Sequence, residues 1–198
     1  MKKVAIIFIT AGLFFVIFGG YQLFKTNKAQ EKSLAEAEAL LTNETSRDTV
    51  SSSSMEAAAS FAPSTGETVG ILHIPELHAD LPIVEGTDED DLEKGVGHYK
   101  GTAYPEQQDQ IVLSGHRDTV FRRMGELAIG DVLTIKLPYG DFSYEIVDTK
   151  VVDADDRTVI ASTAPKEVLT VTTCYPFSYI GNAPERYIIT ALPTENGN

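Results

Sequence analysis

A single cysteine, no tryptophan and a shortage of basic residues are the first features of this 198-residue chain. One cysteine excludes an intramolecular disulfide framework, a cysteine-rich zinc site and an iron–sulfur cluster. Sixteen Lys+Arg against 29 Asp+Glu leave a formal net charge of -13. Nucleic acid is therefore not an expected partner, because no basic stripe offsets that charge locally. Glycine-rich phosphate loops and internal repeats are absent, and no second long apolar run follows the first. The length fits one globular domain with accessory segments rather than two large domains.

What is present is distributed unevenly. Residues 4–24, VAIIFITAGLFFVIFGGYQLF, are almost continuously apolar, with Gln22 the one strongly polar side chain. As a helix they reach ~31 Å, close to the hydrocarbon thickness of a bilayer. A cleavable signal would have a shorter apolar core followed by small residues. Here Lys25-Thr26-Asn27-Lys28 follows, which favours an uncleaved anchor. Lys2 and Lys3 before the run are balanced by Lys25, Lys28 and Lys32 after it, so the flanks alone do not set the orientation. Residues 1–25 are assigned as the anchor and residues 26–65 as a stalk and linker. Within the stalk, residues 29–41 are rich in helix formers but make a helix that is marginal without a partner. Residues 42–65 turn to Ser, Thr, Ala and Glu, the composition of a flexible tether.

Residues 66–198 form the third segment, and their pattern is β. Short runs such as GILHIP, LPIVEG, IVLSGH, DVLTIKLP, FSYEIVDTKVVD, EVLTVTTC and RYIITAL are bounded by Gly, Pro, Asp and Asn. Tyr139-Gly140-Asp141 marks a hairpin, and short helical stretches are expected near residues 90–95 and 120–125. The spacing predicts a mainly β domain, a closed or nearly closed barrel or a sandwich, with few short helices and one transmembrane helix before it.

Candidate chemistry gathers at three residues. Cys174 ends the run Leu169 to Thr173 and precedes Tyr175-Pro176. Alone it reads first as a small buried hydrophobe, the usual fate of a free cysteine, and only second as a nucleophile. A thiol is mostly protonated at neutral pH, so a nucleophilic cysteine needs a base or cation beside it. His116, after Ser114-Gly115, could supply either, although taken alone it reads first as a surface histidine hydrogen-bonded to its turn. Arg186 opens a later strand-like run; its five-donor guanidinium suits a developing oxyanion, and a surface ion pair is the alternative.

Thr170-Val171-Thr172-Thr173-Cys174 resembles the sortase signature T-L-x-T-C, with Val in place of Leu. Ser114-Gly115-His116-Arg117-Asp118 resembles the sortase histidine motif, and Arg186 falls where that family carries its arginine. The resemblance covers roughly residues 70–192. The segment Cys174-Tyr175-Pro176-Phe177 with Tyr179-Ile180-Gly181, the lack of an Asp-Pro lid and the polar end are most similar to class D. The resemblance implies a sortase-like β-barrel and a membrane-anchored, Gram-positive-type cysteine transpeptidase acting without metal or organic cofactor. It implies that Cys174 attacks after the Thr of an LPxTA- or LPxTG-like sorting signal on a secreted protein. His116 would be the general acid/base and Arg186 would stabilise oxyanion or substrate, with a peptidoglycan-precursor amine as acceptor. Such chemistry implies a single-pass cell-membrane protein with an extracytoplasmic domain. A tethered cysteine peptidase that only hydrolyses, and a non-catalytic surface-binding β-domain, are the alternatives.

Other residues read as structural. His98 lies in a glycine-rich turn, and His73 and His78 flank Pro75. The acidic runs at residues 88–91 and at Asp153, Asp155 and Asp156 lack an EF-hand pattern and read as solvated loops.

Overall fold

The computed structural model describes residues 2–44, 53–179 and 181–194. Eight strands carry the domain: β1 (Thr68–Ile74), β2 (Ala79–Glu85), β3 (Val96–His98), β4 (Gln110–Gly115), β5 (Val132–Leu137), β6 (Gly140–Asp153), β7 (Val168–Tyr175) and β8 (Glu185–Pro193). They close in the order β1-β2-β3-β4-β7-β8-β6-β5, with β5 returning to β1. A closed barrel leaves no unpaired sheet edge, which a sandwich would.

Local pattern explains most of these elements. β5 alternates, burying Leu133, Ile135 and Leu137. β4 instead buries Ile111, Val112 and Leu113 in succession. That continuous run suits a strand covered on both faces, and β4 runs parallel to β7. Leu72, Ile74, Ile83, Leu169, Tyr144 and Ile146 fill the same core. At 7-residue length and with no long apolar run, β1 and β2 meet through the 3-10 turn Pro75–Leu77, where His78 takes a left-handed conformation. His73 faces Asp80 across this pair, Nδ1 to Oδ1 2.8 Å.

Three sequence expectations shift. His98 is not in a turn but on β3, a strand of three residues, too short for a periodicity to register. Its neighbour Gly97 is required by close approach, since a Cβ there would lie 2.4 Å from the Gly86 carbonyl. The acidic run at residues 88–91 is not a solvated loop: it includes the one-turn helix α3 (Glu89–Leu92), with Asp91 buried 3.6 Å from Lys94 Nζ. Two helices precede it in the chain, α1 (Lys2–Glu44) and α2 (Ser53–Ser60). The helical stretch expected near residues 120–125 reduces to a 3-10 turn at Met124–Glu126.

The N-terminal helix is continuous. Its first half is long and apolar enough to cross a membrane by length and composition. Its second half lies against β1 and β2. Ser33 and Ala37 are buried there; Ser33 Oγ and Thr68 Oγ1 are 2.9 Å apart, and Thr68 donates to Glu36. Lys25 pairs with Glu93 at 2.9 Å. The stalk residues, expected to make only a marginal helix of their own, thus continue α1 and are held by the barrel. Of the tether expected over residues 42–65, residues 45–52 lie outside the described residues. Residues 53–60 are α2, and Gln107 Nε2 donates to the Ala58 carbonyl at 2.7 Å. Phe61 packs edge-on against Tyr104 and Tyr139.

Candidate active site

Topology brings the three candidate residues to one end of the barrel. Parallel β4 and β7 finish together, and antiparallel β8 begins where they stop. Gly115 is level with Thr173, which places His116 and Cys174 one residue beyond that pair. Cys174 is in turn level with Arg186. Cys174 therefore sits between the other two, and all three are half-buried in the wall of one cavity of about 570 Å³. That volume falls in the range of small-ligand clefts.

The surrounding contacts hold the pair of strand ends together. Thr173 Oγ1 donates to the Gly115 carbonyl at 2.8 Å, joining β7 to β4 immediately before Cys174 and His116. The backbone amides of Thr119 and Phe121 donate to the His116 carbonyl and close its turn. Gly115 belongs to the extended strand, so the turn does not account for it. Close approach does: a Cβ there would lie 2.5 Å from the ring of fully buried Phe121. Arg117 is buried beside Asp118 and its Nη1 donates to the Pro176 carbonyl at 3.0 Å, tying the histidine turn to the segment after Cys174. That segment is packed by Tyr175, Phe177 and Tyr187, with ring centroids 5.3–6.0 Å apart. Arg186 Nη1 donates to the carbonyls of Glu185 at 2.9 Å and Ala183 at 3.3 Å. These bonds aim the guanidinium and leave most of its five N–H groups for a ligand. Among the described residues, no hydrogen bond joins the three side chains to one another; such contacts commonly tighten only around substrate.

One wall is the loop of residues 154–167 between β6 and β7, which contributes Ala154, Asp156, Arg157, Val159 and Ile160. Asp109 and Gln110 at the start of β4 clasp it. The Asp109 carboxylate accepts from the amides of Gln110, Thr163 and Ala164 and from Ser162 Oγ. Those donors hold its carboxyl below the usual range. Gln110 Nε2 donates to the Val159 carbonyl and Thr170 Oγ1, and its Oε1 accepts from the Ala161 amide. Asp156 serves its own turn, accepting from the amide and hydroxyl of Thr158. The opposite wall carries Thr87, Leu92 and Tyr99.

His98 does not line this cavity. It is buried, stacked on Tyr104 at 3.9 Å, with Nδ1 2.6 Å from Glu85 and Nε2 2.9 Å from the Ala103 carbonyl. Tyr104 also donates to Glu85 at 2.7 Å. Burial pushes the Glu85 carboxyl up, but the bonds from His98 and Tyr104 outweigh it and the net displacement is downward. Sequence reasoning passed over Thr173, Arg117, Asp109 and Gln110 as supports. Arg117 and Thr173 sit inside the recognised motifs, whereas nothing local distinguishes Asp109.

A closed barrel with cysteine, histidine and arginine at one rim is a sortase architecture, and the chain belongs to the sortase family: the sortase-domain family model matches residues 72–194. It is a sortase-type transpeptidase most similar to class D. It is 57% identical over 192 residues to Sortase D of Bacillus subtilis (strain 168), covering 96% of this chain and 97% of that protein. The solved catalytic domain of B. anthracis SrtD is 44% identical, with a TM-score of 0.58 over 68% of this chain and 92% of that one. A Clostridium perfringens Sortase D5 transpeptidase shares the fold, with a TM-score of 0.69 at 23% identity, over 84% of this chain and 99% of that one.

Proposed function

We propose that this transpeptidase uses Cys174 as nucleophile, His116 as general acid/base and Arg186 as the oxyanion or substrate stabiliser, on an LPxTA- or LPxTG-like sorting signal of a secreted protein. The observation that carries the reading is the strand register placing Cys174 beside Arg186 and one step past the Gly115–Thr173 pair that precedes His116. The Cys174 thiolate attacks the carbonyl carbon of the signal's Thr, forming the C–S bond. The tetrahedral oxyanion meets the Arg186 guanidinium. The C–N bond then breaks as His116 delivers a proton to the leaving amine. An amine of a peptidoglycan precursor attacks the thioester, gives its proton to His116, and the C–S bond breaks to restore the thiolate. Neither metal nor organic cofactor enters these steps.

The same reading divides the chain into an anchor (residues 1–25), a stalk (26–65) and a catalytic barrel (66–198). The anchor spans the cell membrane once, with the barrel outside, because secreted substrates and lipid-linked acceptors both pass that surface. Intact-mass measurement of the detergent-solubilised full chain with LPxTA and LPxTG peptides tests the chemistry. The expected result is an acyl adduct absent from Cys174→Ala, released as a new amide when an amine such as diaminopimelate is added. Release by water alone would make the protein a peptidase.

A further inference from the structure

A second cavity, of about 330 Å³, lies between α1 and the turn that follows His116. Leu23, Asn27 and Gln30 face it from one side of the helix, and Thr119, Arg122 and Arg123 from the barrel. Two side-chain atoms among the described residues are fully buried without a hydrogen-bond partner, Gln30 Nε2 and Thr119 Oγ1, and both belong to residues of this groove. A buried unsatisfied donor costs about 1–3 kcal/mol, so two at one place call for an acceptor. Arg122 spends Nε and Nη2 on the Asp118 carbonyl, and Arg123 binds Glu126 and the Leu77 carbonyl. Each retains free N–H groups. Asp118 is the one carboxylate lining the groove, and buried Arg117 pairs with it. Gln30 Nε2 and the arginines offer donors and the Thr119 hydroxyl can donate as well, so the groove suits an anionic oxygen cluster.

The groove also has a definite height. Leu23 is within the apolar run, while Asn27 and Gln30 lie three and six residues past its end at Phe24. For a helix near the bilayer normal that is ~4.5 and ~9 Å above the hydrocarbon. The headgroup layer is about 5–8 Å thick on each side. We propose that this groove is a binding site for the phosphate of a membrane phospholipid at the bilayer surface, held by Arg122, with the Gln30 and Thr119 side chains, whose Nε2 and Oγ1 are covered as they stand, rotating to meet it. The inference rests on the reading of α1 as a membrane span. Because the Thr119 amide donates to the His116 carbonyl, a bound headgroup braces the turn that carries His116.

The test uses the full chain reconstituted into vesicles, then released into a maltoside detergent for native mass spectrometry. Phosphatidylglycerol is the probe, and a phosphate-free diacylglycerol glycolipid and inorganic phosphate are the competitors. One retained phosphatidylglycerol is expected, undisturbed by either competitor, with about tenfold weaker retention in Arg122→Gln, as loss of a charge-assisted hydrogen bond predicts. Gln30→Leu and Thr119→Val discriminate by sign. With a phosphate bound they weaken retention; if the groove has no ligand they remove an unsatisfied donor, raise thermal stability and leave lipid binding unchanged. Equal retention by all variants, exchange for the glycolipid, or displacement by inorganic phosphate would each overturn the proposal alone. A chain that fails to float with vesicles would overturn the span reading first, and this inference with it.

Discussion

At the scale of single residues, the site depends on groups that are neither nucleophile nor base. Gly115 is one: its missing Cβ is the space occupied by the Phe121 ring. Gly115→Ala is expected to cost about 1–3 kcal/mol through overpacking, and to lower turnover further by shifting the His116 turn. Denaturant unfolding and peptide turnover on the same sample would check both. His98 is another. Removing it strands a buried carboxylate, so His98→Ala is expected to lose about 3–5 kcal/mol without entering the reaction. The depressed Glu85 carboxyl adds a pH dependence. Its stabilisation is fully present above the unfolded value near pH 4.3 and is lost as pH falls through the lower folded value. The stability gap between wild type and Glu85→Gln should therefore narrow below about pH 4.3, read from unfolding curves at stepped pH. A gap that stays constant to pH 3 would mean that His98 and Tyr104 do not set this carboxyl.

Elements act as units at the next scale. The cavity wall at residues 154–167 has no strand of its own, and its shape is dictated by Asp109 and Gln110. Asp109→Asn keeps the size but replaces a carboxylate that takes four donors with an amide bearing its own N–H groups. The expected outcome is a KM for the sorting peptide raised about tenfold with kcat changed much less, since substrate contact is loosened while the Cys174 rim is untouched. Gln110→Leu should behave alike, and steady-state kinetics on both variants would show it. An equal fall in kcat for both would instead place the loop in the chemical step. The two parallel strands β4 and β7 matter for a related reason: their common end is what makes a rim from residues 58 apart in the chain.

For the whole molecule, the decisive contact is α1 against β1 and β2. The helix meets the barrel surface with Ser33 and Ala37 buried, so the stretch after the apolar run is packed on the barrel rather than standing free of it. Ala37→Phe should pry them apart. Hydrogen exchange is expected to rise across residues 26–44 while the β7 and β8 amides keep their protection. Loss of protection in β7 as well would show that the helix is part of the barrel's own stability. The contact reaches toward the cavity, because Glu93, which pairs with Lys25, adjoins Leu92 of its wall.

The sequence by itself determined what is local. The apolar run, the alternating strands, and the motifs around His116, Cys174 and Arg186 can be read because periodicity and adjacency are one-dimensional properties. Strand number and spacing left a barrel or a sandwich, with the family motifs pointing to the barrel, and β3 escaped because three residues carry no period. Tertiary structure alone decided everything that depends on meeting across the chain. Nothing near Asp109 announces the loop it holds, and His98 in its glycine-flanked stretch gives no sign of Glu85. Gln30 and Thr119 come to line one groove only when a helix docks beside a turn. Their partners are chosen by closure of the barrel and docking of α1, and side-chain periodicity carries no record of which distant surfaces will be brought within hydrogen-bond reach.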